Sequence, residues 1–298
     1  MEHERRPSSS IDLLWKIPVI GAIYFVGIVI AGAVVSKLGL PFPEVPGQTW
    51  IPILGFLTAV TLSAGIALLA NGIAGTPLKR GSILLVFFYV SFVINNQIEA
   101  AVYSTTAEVP TMLLFFILPC LMASAAAALL TRSADQRHPL TTVFADRPIT
   151  KWWWRVVLAW LAFPIIYYFF GALIYPLVAD AYTSPDFGLR LPGPLVVIAA
   201  VSLRSLLFLA ASIPILVNWK GSRRGLVLSL ATALAAMVGV AGMFESTWMP
   251  LHMKLVHSVE IIADSLVHAW VLVALLVPGR HRATERIASP AVDEVSLD

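Results

Sequence analysis

An all-α bundle of about eight transmembrane helices is what the sequence predicts, and three observations carry that prediction. First, 58% of the 298 residues are hydrophobic and only 12% charged, with a mean hydropathy of +0.84, whereas soluble domains are about one quarter charged. Second, the apolar residues gather into eight runs of bilayer length, since about 20 helical residues cross about 30 Å of hydrocarbon. Third, Lys and Arg fall almost wholly into alternate connections, which is the pattern of cytoplasmic loops.

Taken in order, residues 1–12 read as a polar cytoplasmic tail and 13–131 as a first membrane half of four spans. The first span covers 13–37; its apolar stretch of about 20 residues exceeds the 7 to 15 of a signal peptide, so it is expected to be retained. The next three cover 50–73, 82–105 and 110–131, with Glu108-Val109-Pro110 as the tight break of a helical hairpin. Residues 132–154 form a polar cytoplasmic loop, and 155–278 a second half with spans at 155–178, 194–218, 225–246 and 251–278. Trp152, Trp153 and Trp154 open this half as an interfacial aromatic belt. Pro164, Pro176 and Pro214 are expected to bend or end their helices. The charged segment 279–298 closes the chain as a second cytoplasmic tail.

Of the 20 Lys and Arg residues, 16 lie at the two ends or in the 2–3, 4–5 and 6–7 loops, and only Lys37, Arg190 and Lys254 lie on the opposite side. The positive-inside rule then places both termini in the cytoplasm of a bacterial-type inner membrane. The net charge of +3 is scattered among short loops without one basic face, so membrane lipids and not nucleic acid are the expected partners. The single cysteine, Cys120, excludes an intrachain disulfide and a Cys-rich metal site, and its apolar surroundings suit an inert buried thiol.

Short matches hint at a 4+4 tandem repeat: Trp15-Lys16 with Trp154-Arg155, Arg80-Gly81 with Arg224-Gly225, and Pro110 with Pro250. Repeats in membrane proteins often place a site where the halves meet.

The stretch that carries chemistry is Leu251 to Pro278, with His257, Glu260, Asp264 and His268 inside an apolar span. At about 100° per residue these four fall within roughly 80° of one helix face. Ionisable groups in a span are costly and point to a functional site. The third span adds Asn95, Asn96, Glu99 and Tyr103, with Glu99 and Glu260 both roughly 6 to 10 Å outward of the midplane. Arg204 in the sixth span lies near the level of Asp264, and an Arg204–Asp264 ion pair is expected.

The favoured reading is transport of a proton or small solute, bound by Asn95, Asn96, Glu99, Tyr103, His257, Glu260 and His268, because His and desolvated Glu change charge near neutral pH. An intramembrane enzyme acting on a lipid or lipid-linked substrate is the alternative. A divalent metal on His257, Glu260 and Glu99 would suit it, though His257 and His268, about 16 Å apart along the helix, cannot share one ion. No cofactor is predicted, and H-E-x-x-H, G-x-S-x-G and P-loop motifs are all absent. A structural protein whose polar groups serve only as contacts between helices is the third reading.

Overall fold

Apolar sequence of bilayer length leaves the backbone no partner but itself, and the chain answers with helices throughout. A computed structural model describes residues 10–45, 47–131, 150, 152–183 and 188–277. The tails and most of the 4–5 loop, including Arg132, Arg137, Arg147 and Lys151, lie outside the described residues. Eight helices are long and apolar enough to cross a membrane. They are α1 (Ser10–Lys37), α2 (Pro52–Gly72), α3 (Pro77–Tyr103), α4 (Val109–Leu130), α5 (Trp153–Thr183), α6 (Pro194–Asn218), α7 (Arg223–Glu245) and α8 (Leu251–Leu276). The protein is a multi-pass, all-α membrane bundle.

Helix starts follow local chemistry. Pro stands at the first or second position of α2, α3, α4 and α6, where its missing N–H costs nothing. Thr76 and Ser222 cap α3 and α7 by accepting the backbone N–H groups of Lys79 and Gly225. Of the prolines expected to bend or end their helices, none ends one: α5 runs through Pro164 and Pro176 and α6 through Pro214. As a result α5 extends beyond the expected 155–178, to Thr183. Two helices carry a widened turn, at Tyr89–Ile94 in α3 and at Ala236–Val240 in α7.

Within the first half α1 packs on α2 and α4, and α3 packs on α4; within the second α5 packs on α6 and α8, and α7 packs on α8. The halves meet where α2 packs on α7 and α3 on α6. Gly65 lets α2 and α7 touch through backbone, since a Cβ there would stand 2.7 Å from Ala233 Cα. The seam closes at the basic end with a backbone bridge. Ala74 N donates to Asn218 O at 2.9 Å and Lys220 N to Gly72 O at 3.0 Å, pairing Ile73 with Trp219.

Several basic side chains also finish helices at this end. Arg80, only 1% exposed, donates to Ala70 O at 2.7 Å, Ala128 O at 3.1 Å, Thr131 O at 3.0 Å and the Thr131 hydroxyl. It thereby satisfies the last carbonyls of α2 and α4. Arg223 donates to Val273 O at 3.0 Å and Arg155 to Leu275 O at 2.7 Å, doing the same for α8. Carbonyl ends carry partial negative charge, and a buried guanidinium both neutralises it and supplies the missing donors.

Replacing Arg80 by Met is expected to destabilise the protein by about 2 kcal/mol or more, because several carbonyls lose a charged donor at once. Thermal unfolding in detergent should show a lowered midpoint, whereas Lys79→Ala, at an exposed neighbour, should leave it unchanged.

Candidate functional site

The polar residues of α3 follow its widened turn, and that turn decides where they point. One extra residue in the turn rotates everything after it by about 100° relative to an unbroken helix. Asn95 is fully buried, and its Nδ2 donates back to Val90 O at 3.0 Å, a carbonyl of the turn itself. Asn96 Nδ2 reaches across the seam to Met237 O at 2.8 Å, inside the widened turn of α7. Asn95 thus braces the turn of its own helix, and Asn96 ties α3 to the widened turn of α7. Both keep a buried Oδ1 without a hydrogen-bond partner among the described residues.

One turn further on, Glu99 Oε2 lies 2.7 Å from Arg204 Nη2 of α6. The Arg204 side chain is 2% exposed and that of Glu99 38%, so the cation is sealed inside the bundle while its partner reaches the surface. The guanidinium also stands 5.8 Å from the centre of the Phe163 ring of α5. Beside the pair the hydroxyls of Tyr103 and Tyr167 share a hydrogen bond of 2.9 Å, joining α3 to α5. Trp160 and Ser205 lock α5 to α6 nearby: Trp160 Nε1 donates to Ser202 O at 2.9 Å, and Ser205 Oγ donates to Trp160 O.

The expected Arg204–Asp264 pair is thus replaced by Arg204–Glu99. The reason lies in the packing: α6 lies along α3, whereas α8 lies along α5 and α7 and barely touches α6. Asp264, 8% exposed, accepts from Ser265 Oγ at 3.3 Å. No Lys or Arg nitrogen among the described residues lies within 4.0 Å of it.

The rest of the stripe separates along α8. His257 Nδ1 and Glu260 Oε2 are 3.0 Å apart, with side-chain exposures of 14% and 12%. His268 is almost wholly buried, with its ring 5.2 Å from that of Phe163 and 6.1 Å from that of Phe208. Its Nε2 has no hydrogen-bond partner among the described residues. Glu99 and Glu260 share a level in the sequence reading, but each is held by a different partner. α8 does not pack along α3. Among the described residues no group of three or more His, Cys, Asp or Glu side chains is placed to hold a metal ion. His257 with Glu260 offers two donors.

Tyr167 and Phe163 complete the surroundings of Arg204, and the sequence reading assigned neither to the site. Tyr167 lies inside a span, and a phenol in hydrocarbon needs a partner. Compared with known families, curated proteins and solved structures, the chain matches no family model, no curated protein and no solved structure.

The unequal burial of the ion pair has a consequence for stability. Glu99→Gln strands a buried guanidinium and is expected to cost about 3 kcal/mol, while Arg204→Met leaves only a half-exposed carboxylate and should cost less. The double variant Glu99→Gln with Arg204→Met should recover most of the loss. Melting in detergent checks the order, and a larger loss for Arg204→Met would contradict it.

Proposed function

We propose that this membrane protein transports a small solute together with protons, with both termini on the cytoplasmic side of a bacterial-type inner membrane. The observation that carries the reading is the Glu99–Arg204 pair, which sits where the two halves meet and has one member sealed and the other open. A carboxylate able to reach water can exchange its proton, and a buried guanidinium cannot be left alone in hydrocarbon. Protonation of Glu99 removes its claim on Arg204. An acidic group of the solute can then take the vacated place, so that one proton and one anion enter together without net charge. Tyr103 and Tyr167 supply neutral hydroxyls beside the pair, and Asn95 and Asn96 supply amide oxygens not engaged by the protein. Contacts between the halves that run through paired helices suit rocking of one half against the other.

The His257–Glu260 pair supports a second reading, an intramembrane enzyme on a lipid-linked substrate, because a carboxylate-held imidazole is the arrangement of a general base.

Purified protein in vesicles that enclose a pH-sensitive dye separates these readings. A mixture of small carboxylic acids added outside, with an inward proton gradient, is expected to acidify the lumen faster than in empty vesicles. The variant Glu99→Gln with Arg204→Met, which keeps the site neutral, should reduce the rate to the empty-vesicle level. Wild-type rates equal to those of empty vesicles would overturn transport of this class.

A further inference from the structure

Features of the two halves recur at a single spacing, and following it leads to a second carboxyl group that lacks a basic partner. Ile73 and Trp219 form the bridge at the basic end. Gly75 and Gly221 come next, and Thr76 and Ser222 cap the helices that follow. The widened turns end at Ile94 and Val240. Glu99 and Glu245 stand five residues beyond each turn. Every pair is 146 residues apart, the difference between 219 and 73. Helix packing obeys the same exchange, since swapping the halves turns the α2–α7 contact into the α6–α3 contact. At this spacing the counterpart of Arg204 is Thr58, and Thr58 is the α2 side chain that meets Glu245, as Arg204 of α6 meets Glu99.

Glu245 is half-buried at the end of α7. Gly55 of α2 leaves space for it: a Cβ there would stand 3.1 Å from Glu245 Oε1. The Thr58 hydroxyl donates to Ala241 O at 2.9 Å and also makes a hydrogen-bond interaction with the Glu245 carboxyl. What favours the form of Glu245 that carries a proton is its half-burial in an apolar bundle with no basic nitrogen beside it among the described residues. The titratable group facing Glu245 from α1 is the buried phenol of Tyr24. From α2 it is faced by Thr58, and among the described residues no Lys, Arg or His nitrogen lies within 4.0 Å.

We infer that Glu245 is a proton-loading site, equivalent to Glu99, at which a proton taken from solution stands where the first site has the fixed charge of Arg204. Four oxygens, two of the Glu245 carboxyl group, the Thr58 hydroxyl and Ala241 O, are too few to enclose a sodium ion, and they suffice for one O–H donor and its acceptor. This deepens the transport reading by naming the proton's seat, and its test reads protonation directly, whether or not flux is seen.

The test is labelling of the full-length protein in membrane vesicles by a hydrophobic carbodiimide, which reacts with protonated carboxyl groups, followed by peptide mass spectrometry. Glu245 is expected to label and Glu99 to label weakly, with Glu245 labelling falling about tenfold per pH unit once it titrates. Thr58→Arg should suppress labelling at Glu245, and Arg204→Thr should raise labelling at Glu99 to the Glu245 level. The second variant stands alone if Thr58→Arg does not fold. Unlabelled Glu245 at acidic pH, or Glu99 unchanged by Arg204→Thr, overturns the inference. Protection of Glu245 by excess sodium but not potassium would assign the site to a metal cation and overturn the proton.

Discussion

A guanidinium in hydrocarbon cannot shed its charge, so it must be met by an acceptor wherever the fold puts it. Arg204 is the residue that imposes this on the bundle. It is sealed among α3, α5 and α6, and Glu99 is the carboxylate that comes to it. The pairing holds α3 against α6 at the seam between the halves, and the tyrosine pair and the Trp160–Ser205 contacts bring α5 in beside it. Because only Glu99 reaches the surface, any change in the state of this pair has to begin there.

The bundle satisfies its remaining polar groups by two other devices. At the basic end, arginines close the carbonyl termini of α2, α4 and α8, so residues that look like topology signals are also structural donors. Midway across the seam, the widened turns free carbonyls from regular helical bonding, and asparagine amides collect them. Both follow from the absence of water as an alternative partner. The asparagines spend their donors in this way and retain their oxygens. That asymmetry suits a lining that can still accept a hydrogen bond from something else.

The spans were legible because each is a run of apolar residues of fixed length, a property that neighbours in space do not alter. Membership in a span was legible too, since Glu99 and Arg204 both lie within apolar helices, but the depth reading set Arg204 level with Asp264, and it pairs with Glu99. Azimuth was not legible. The partner of Arg204 depends on which helix lies beside α6, and one-dimensional pattern carries no record of that. The widened turn in α3 added a rotation of about 100° that no regular period contains. Tyr167 and Phe163 were passed over because aromatic residues in a span pack against lipid and protein alike. His268 looked like a member of the polar stripe, and the aromatic rings of Phe163 and Phe208 that flank it come from two other helices.

The same distinction explains why the two halves are hard to align by sequence. Short matches near helix ends suggested spacings of 139, 140 and 144, whereas the bridge, caps, widened turns and carboxyl groups agree on 146. Arg80-Gly81 and Arg224-Gly225 stand two positions out of that register. Helix ends tolerate added residues, and α3 continues four residues beyond Glu99 whereas α7 stops at Glu245. The seam tolerates none, because each of its contacts joins one half to the other and a shift in either would break it. Arginine stands at this spacing on one side and threonine on the other, which leaves Glu99 and Glu245 in unequal fields. One carboxyl group is matched by a charge the chain cannot remove, and the other by whatever the solution supplies.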